Sequence, residues 1–124
     1  DISYEFDKGD VNPKDIAHQV INIGVEAKEL AASLKQVFVN SIPHRRAKRY
    51  DSFIEQTNLF IKLFCQQYNF IFINNDIIEK SDLHRDGLRL GFNGTSKLMH
   101  NILLCTDTYN PCLGMMWDKL QNWV

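Results

Sequence analysis

The chain has 124 residues, room for one domain and too few for two of ordinary size. Hydrophobic residues make up 44% and charged ones 23%, with only 6 Gly and 3 Pro, a balance that excludes disorder and collagen-like repeats. Lys plus Arg (14) nearly matches Asp plus Glu (15), a formal net charge of -1, so no overall field draws the molecule to DNA or anionic lipid.

Asn12-Pro13-Lys14-Asp15 is a helix start, with Asn as cap, Pro suited to the first helical position and Asp complementing the macrodipole. Ile16, Val20, Ile23, Ala27, Leu30 and Leu34 then step by three or four residues, which predicts an apolar helical stripe that a sheet must cover. Val37 to Ile42 is short and β-branched and is closed by Pro43, the pattern of a buried strand. His44-Arg45-Arg46-Ala47-Lys48-Arg49 follows as a basic loop. From Asp51 to Tyr68 the residues Phe53, Ile54, Thr57, Phe60, Ile61, Phe64, Cys65 and Tyr68 recur at helical spacing, with Asn69 as the stop. Phe70 to Ile73 is a second buried strand.

Helix, strand, helix, strand predicts parallel strands joined by right-handed crossovers, the doubly wound α/β class with three layers. A long polar connection runs from Asn74 to Leu90. Ligand sites of open α/β sheets lie outside the carboxyl ends of the strands, so this connection and the basic loop are expected to share one rim, with Asn40, Ser41, His44, Arg45 and Arg46 as candidate substrate-binding residues. A last helix begins near Gly94 or Thr95 with Leu98, Met99, Ile102 and Leu103 on its apolar face. Leu113, Met116, Trp117 and Leu120 give the tail after Leu104 the spacing of one further amphipathic helix.

The chemistry-bearing signatures are sparse. Cys65, Cys105 and Cys112 are too few for a disulfide framework and lack paired metal-ligand spacing, which points to a reducing, cytoplasmic compartment and to no metal or other cofactor. Apolar runs are far shorter than the roughly 20 residues of a membrane span, so the chain is expected to be soluble and without a membrane partner. No Walker loop, H-E-x-x-H or G-x-S-x-G occurs.

One block carries a resemblance. Asp86-Gly87-Leu88-Arg89-Leu90, followed by Gly94, Thr95 and Leu98, resembles the final block of the SGNH (GDSL-type) hydrolases, D-G-x-H-L with a Gly and a helix a few residues on. The preceding helix, Pro-closed strand, long helix and strand agree in order. The likeness spans about residues 1–104, corresponds to the C-terminal portion of the family's domain, and is nearest to its divergent transposon-associated invertebrate members; residues 105–124 form a divergent tail. The resemblance implies an incomplete flavodoxin-like sheet and ester hydrolysis through an acyl-enzyme. In the family a Ser of a G-D-S block attacks, the His of the final block takes its proton, and an Asp three residues earlier orients that His.

Here Asp86 stands at the family's Asp position and Arg89 at that of the His. A guanidinium donates hydrogen bonds and accepts none, so it is no general base. No G-D-S occurs; Gly9-Asp10-Val11 has Val in place of the nucleophile, and Asp1-Ile2-Ser3 resembles the remnant of the oxyanion-stabilising G-x-N-D block. Beginning at Asp1, the chain reads as a piece of a longer one. His84, two residues before Asp86, is read as a solvent-facing loop histidine, since an offset of that kind does not place it at the base position and no serine partner is in view.

These residues imply an SGNH-like pseudoenzyme fragment without activity of its own. The alternatives are a non-catalytic binding or assembly module for an anionic ligand or partner, and a reading frame with no selected function. Its partner is unknown; nucleic acid is expected only through the 44–49 basic loop, and self-association through an uncovered sheet edge.

Overall fold

The computed structural model describes residues 12–31, 33 and 36–107. Helix α1 (Pro13–Leu30) begins where the sequence places it: Asn12 is extended, and its Oδ1 accepts the Asp15 N–H at 2.9 Å. Its buried face is Ile16, Ala17, Ile21 and Gly24, whereas Ile23 and Leu30 point to solvent. The apolar stripe is therefore rotated from the one expected. Its centre is small residues: a Cβ on Gly24 would lie 2.9 Å from the Phe70 ring and 3.1 Å from Val37. The helix is drawn close to the Val37 and Phe70 side chains where it has least side chain of its own, and that buries Ala17 and Ile21 completely.

Strands β1 (Phe38–Asn40) and β2 (Ile71–Ile73) pair in parallel, with Val39 opposite Phe72. The ladder extends past both ends, since Ile71 N–H donates to Val37 O and Ser41 N–H to Ile73 O, each at 2.9 Å. The expected adjacent, parallel arrangement of these two segments is borne out. Between them a 3₁₀ turn (Lys48–Tyr50) leads into helix α2 (Asp51–Tyr68), with the bounds the periodicity predicts. Asn69 closes it in the left-handed conformation (φ 58°) that Asn tolerates, and Phe70 N–H returns to Cys65 O at 2.8 Å.

The core joins both helices to the sheet: Ala17, Ile21, Val39, Ile61, Phe64, Cys65 and Phe70 are buried together. Burial in this apolar cluster pushes the Cys65 thiol up to about 11, so it is a packing group rather than a nucleophile. His18 stacks on Phe64 with ring centroids 4.2 Å apart, a packing role at the core's margin.

After β2 the connection holds a 3₁₀ turn (Lys80–Asp82) and an antiparallel bridge between Leu83 and Leu90. Helix α3 (Phe92–Asp107) starts two residues before Gly94. Gly94 sits within its first turn because a Cβ there would meet Asp82 O at 2.7 Å. The architecture is mixed helix and strand around a two-stranded parallel sheet. Among the described residues no helix is long and apolar enough to cross a membrane. The Gly9-Asp10-Val11 block, Asp1-Ile2-Ser3, Leu34, Cys112 and the amphipathic Leu113 to Leu120 segment lie outside the described residues.

Candidate functional site

The carboxyl ends of β1 and β2 are finished by side-chain amides. Asn58 of α2 accepts the Ile42 N–H (2.7 Å) and donates to Ile42 O (2.9 Å), satisfying the backbone just before Pro43, which has no N–H to offer. Asn75 is buried: its N–H donates to Ser41 Oγ at 2.9 Å, its Nδ2 reaches Asn40 Oδ1 and Ser41 O at 3.3 Å, and its Oδ1 accepts Asn101 Nδ2 at 3.0 Å. Asn40 and Ser41 are thus held in a network that also fixes α3. Asn74 Oδ1 accepts the Asp76 N–H at 2.8 Å, a local Asx turn.

The basic loop and the 84–90 connection do share a rim, bound to each other through backbone carbonyls. Arg46 N–H donates to Gly87 O (2.9 Å), Arg46 Nη1 to Arg85 O (2.8 Å), Arg46 Nη2 to His84 O (3.0 Å) and Arg45 Nη1 to Leu88 O (2.7 Å). These guanidinium bonds add to the Leu83–Leu90 bridge and the turn bonds that already pair this loop's backbone. Gly87 lets the loop come this close. Its φ of +72° is left-handed, and a Cβ would lie 2.8 Å from Arg46 Cβ. Gly87→Ala is expected to cost about 2 kcal/mol, read by chemical denaturation, with faster hydrogen exchange at the Arg46 amide; unchanged exchange there refutes the clamp.

Asp86 and Arg89 are brought together. Asp86 Oδ1 accepts the N–H groups of Leu88 (2.9 Å) and Arg89 (3.0 Å), and Oδ2 accepts Arg89 Nε at 2.7 Å. Those two backbone donors, Arg89's first, and then the Arg89 guanidinium hold the carboxyl well below the usual carboxylate range. His84 is half-exposed, with Nδ1 4.0 Å from the same Asp86 oxygen, beyond hydrogen-bond length.

His44 leads in a different direction. Its Nδ1 lies 3.4 Å from Asp51 Oδ1, and Asp51 meets Lys80 Nζ at 2.9 Å. The Lys80 hydrogen bond, helped by His44, keeps the Asp51 carboxyl below its ordinary value against the effect of burial. Asp51 therefore ties the basic loop, the start of α2 and the 80–82 turn at one point. Neither it nor Asn58 stands out in the sequence, where they read as a first-turn acid and a polar helix position.

A groove of about 230 Å³ opens between α2 and the strand ends, lined by Ser41, His44, Glu55, Asn58, Leu59, Lys62, Phe72, Asn74 and Asp76. It includes Ser41 and His44 of the expected set and not Asn40, Arg45, Arg46, Asp86 or Arg89. Among the described residues no group of three or more His, Cys, Asp or Glu side chains is arranged to hold a metal ion. No family model, no curated protein and no solved structure matches the chain at a significant level.

Proposed function

We propose that this chain is part of an SGNH-hydrolase-like α/β domain that no longer hydrolyses esters. The family's three-layer, flavodoxin-like sheet belongs to the same proposal. The observation that carries it is the Asp86–Arg89 pair: the acid that would orient a catalytic imidazole is neutralised by a guanidinium 2.7 Å away, at the position of the family's base. A permanently protonated group accepts no proton from a serine, and the backbone donors on Asp86 bind its charge into the loop. The parallel strand–helix–strand unit, with the D-G-x-x-L block following its second strand, supports the reading by order and placement.

The test is hydrolysis of p-nitrophenyl acetate by the wild type, Arg89→His and His84→Ala. All three are expected to match the buffer rate, because a restored base is one member of a constellation that works as a unit. Wild-type turnover abolished in His84→Ala would make His84 the base and overturn the proposal. Turnover that instead depends on Arg89 would give the guanidinium an oxyanion-stabilising role and overturn it equally.

The groove favours a second reading, a non-catalytic binding module. An anion seeking Arg45 and Arg46 would have to compete with the Leu88, Arg85 and His84 carbonyls for their donors. The groove itself carries Glu55 and Asp76 against Lys62, a balance that does not attract anions.

A further inference from the structure

We infer that the groove between α2 and the strand ends is a binding site for a short linear zwitterion, an ammonium and a carboxylate joined by an apolar stem. The inference rests on the lining of the groove and is independent of the hydrolase resemblance.

The polar groups of the groove divide into those already engaged and those not. Asn58 spends both ends of its amide on Ile42, Asn74 Oδ1 holds the Asp76 N–H, Ser41 Oγ accepts from Asn75, and His44 Nδ1 faces Asp51 Oδ1 at 3.4 Å. Glu55, Lys62 and Asp76 are exposed, and no hydrogen bond or ion pair joins their side chains to another described residue. The uncommitted charges of the site are therefore two carboxylates and one ammonium.

Topology separates these charges. Helix α2 starts beside the end of β1, where Asp51 meets His44 and Asn58 meets Ile42, and it finishes at Asn69, just ahead of β2. It thus runs antiparallel to the strands, with Glu55 toward the rim and Lys62 seven residues deeper, roughly 10 Å along the axis. Asp76 follows the end of β2, on the rim side with Glu55. Leu59 lies between Glu55 and Lys62 on the helix, and Phe72 lines the groove below Asn74.

The groove accordingly presents free carboxylates at the rim, a strip of apolar surface from Leu59 and Phe72 beside the engaged Asn58 amide, and a free ammonium at the far end. A single charge of either sign would meet its complement at one end only. An ammonium between Glu55 and Asp76, a hydrocarbon stem on Leu59 and Phe72, and a carboxylate at Lys62 would satisfy all three zones. The volume sits just under the roughly 300–1,000 Å³ of drug-sized pockets, which limits the occupant to a short chain.

Three six-carbon probes test this on the full chain by amide chemical-shift titration: 6-aminohexanoate, hexanoate and hexylamine. The zwitterion is expected to bind roughly tenfold more tightly than either half-charged probe, with shifts at Ser41, His44, Asn74 and Asp76. Lys62→Gln should reduce it to the level of hexylamine, and Glu55→Gln/Asp76→Asn to that of hexanoate. These side chains are exposed, and an unchanged amide spectrum of each variant confirms that its fold is intact. Hexanoate or hexylamine binding as tightly as the zwitterion overturns the inference, as do shifts centred on Arg45 and Arg46 or the absence of shifts at millimolar probe. None of these outcomes alters the ester-hydrolysis assay, so failure here is distinct from failure of the SGNH reading.

Discussion

Ile61→Ala is expected to destabilise the chain by about 3 kcal/mol, lowering the thermal midpoint by on the order of 10 °C. Ile61 is fully buried on α2 amid Ala17, Ile21, Val39, Phe64, Cys65 and Phe70, so the substitution removes packing from both helices and from β1 at once. The cost includes the cavity left behind, because close-packed neighbours on three elements relax only partly. Leu63→Ala on the same helix is the control. Leu63 is 48% exposed, and its truncation should cost less than about 1 kcal/mol. Equal losses for the two variants, measured by urea denaturation, would mean that α2 does not present the face assigned to it.

That comparison also shows which parts of the fold were legible in the sequence. On α2 the apolar positions are large and regularly spaced, so Phe53, Ile54, Thr57, Ile61, Phe64 and Cys65 announce their own face and Asn69 its end. On α1 the same reasoning goes astray. The buried face there rests on Ala17 and Gly24, whose value lies in how little space they occupy, as much as on Ile16 and Ile21, and a count of large hydrophobes is drawn toward Ile23 and Leu30 on the outer side. Hydrophobic periodicity reports the amount of apolar surface; it does not report how closely a backbone can approach.

The rim was legible in location and not in detail. Strand order alone brings the 44–49 loop and the 84–90 connection together, because both follow the carboxyl ends of adjacent parallel strands. What Arg45 and Arg46 do there depends on which loop carbonyls face them, a three-dimensional property with no local signature in the sequence. Asp86 and Arg89, by contrast, are three residues apart, and a turn brings them together without help from the rest of the molecule.

Asp82→Ala should cost about 2 kcal/mol at neutral pH, a loss that disappears in acid. Asp82 is buried, and one oxygen, Oδ2, accepts both Lys97 Nζ at 2.7 Å and the Glu79 N–H at 2.8 Å. Lys97 also reaches Ile77 O at 3.1 Å, so this carboxylate pins the 80–82 turn and the connection before it to α3. The partial exposure of Lys97 keeps the loss below that of a fully buried pair, since water can solvate the released ammonium. The Lys97 hydrogen bond, and after it the Glu79 N–H, lower the Asp82 carboxyl from its ordinary value of 3.8. A carboxyl lowered on folding stabilises the native state fully above the unfolded value, and that contribution is lost as pH falls through the folded value. The gap between wild type and Asp82→Ala should therefore be constant from neutral pH down to about 5 and close progressively below 3.8. Lys97→Met should reproduce part of the loss, and the double variant should cost less than the sum of the singles, because each single change leaves the other charge without its partner. Strict additivity in the cycle, or a gap that persists unchanged at pH values below the folded one, would assign the loss of stability to the missing turn bond at Glu79 alone and leave the ion pair without a measurable part in holding α3.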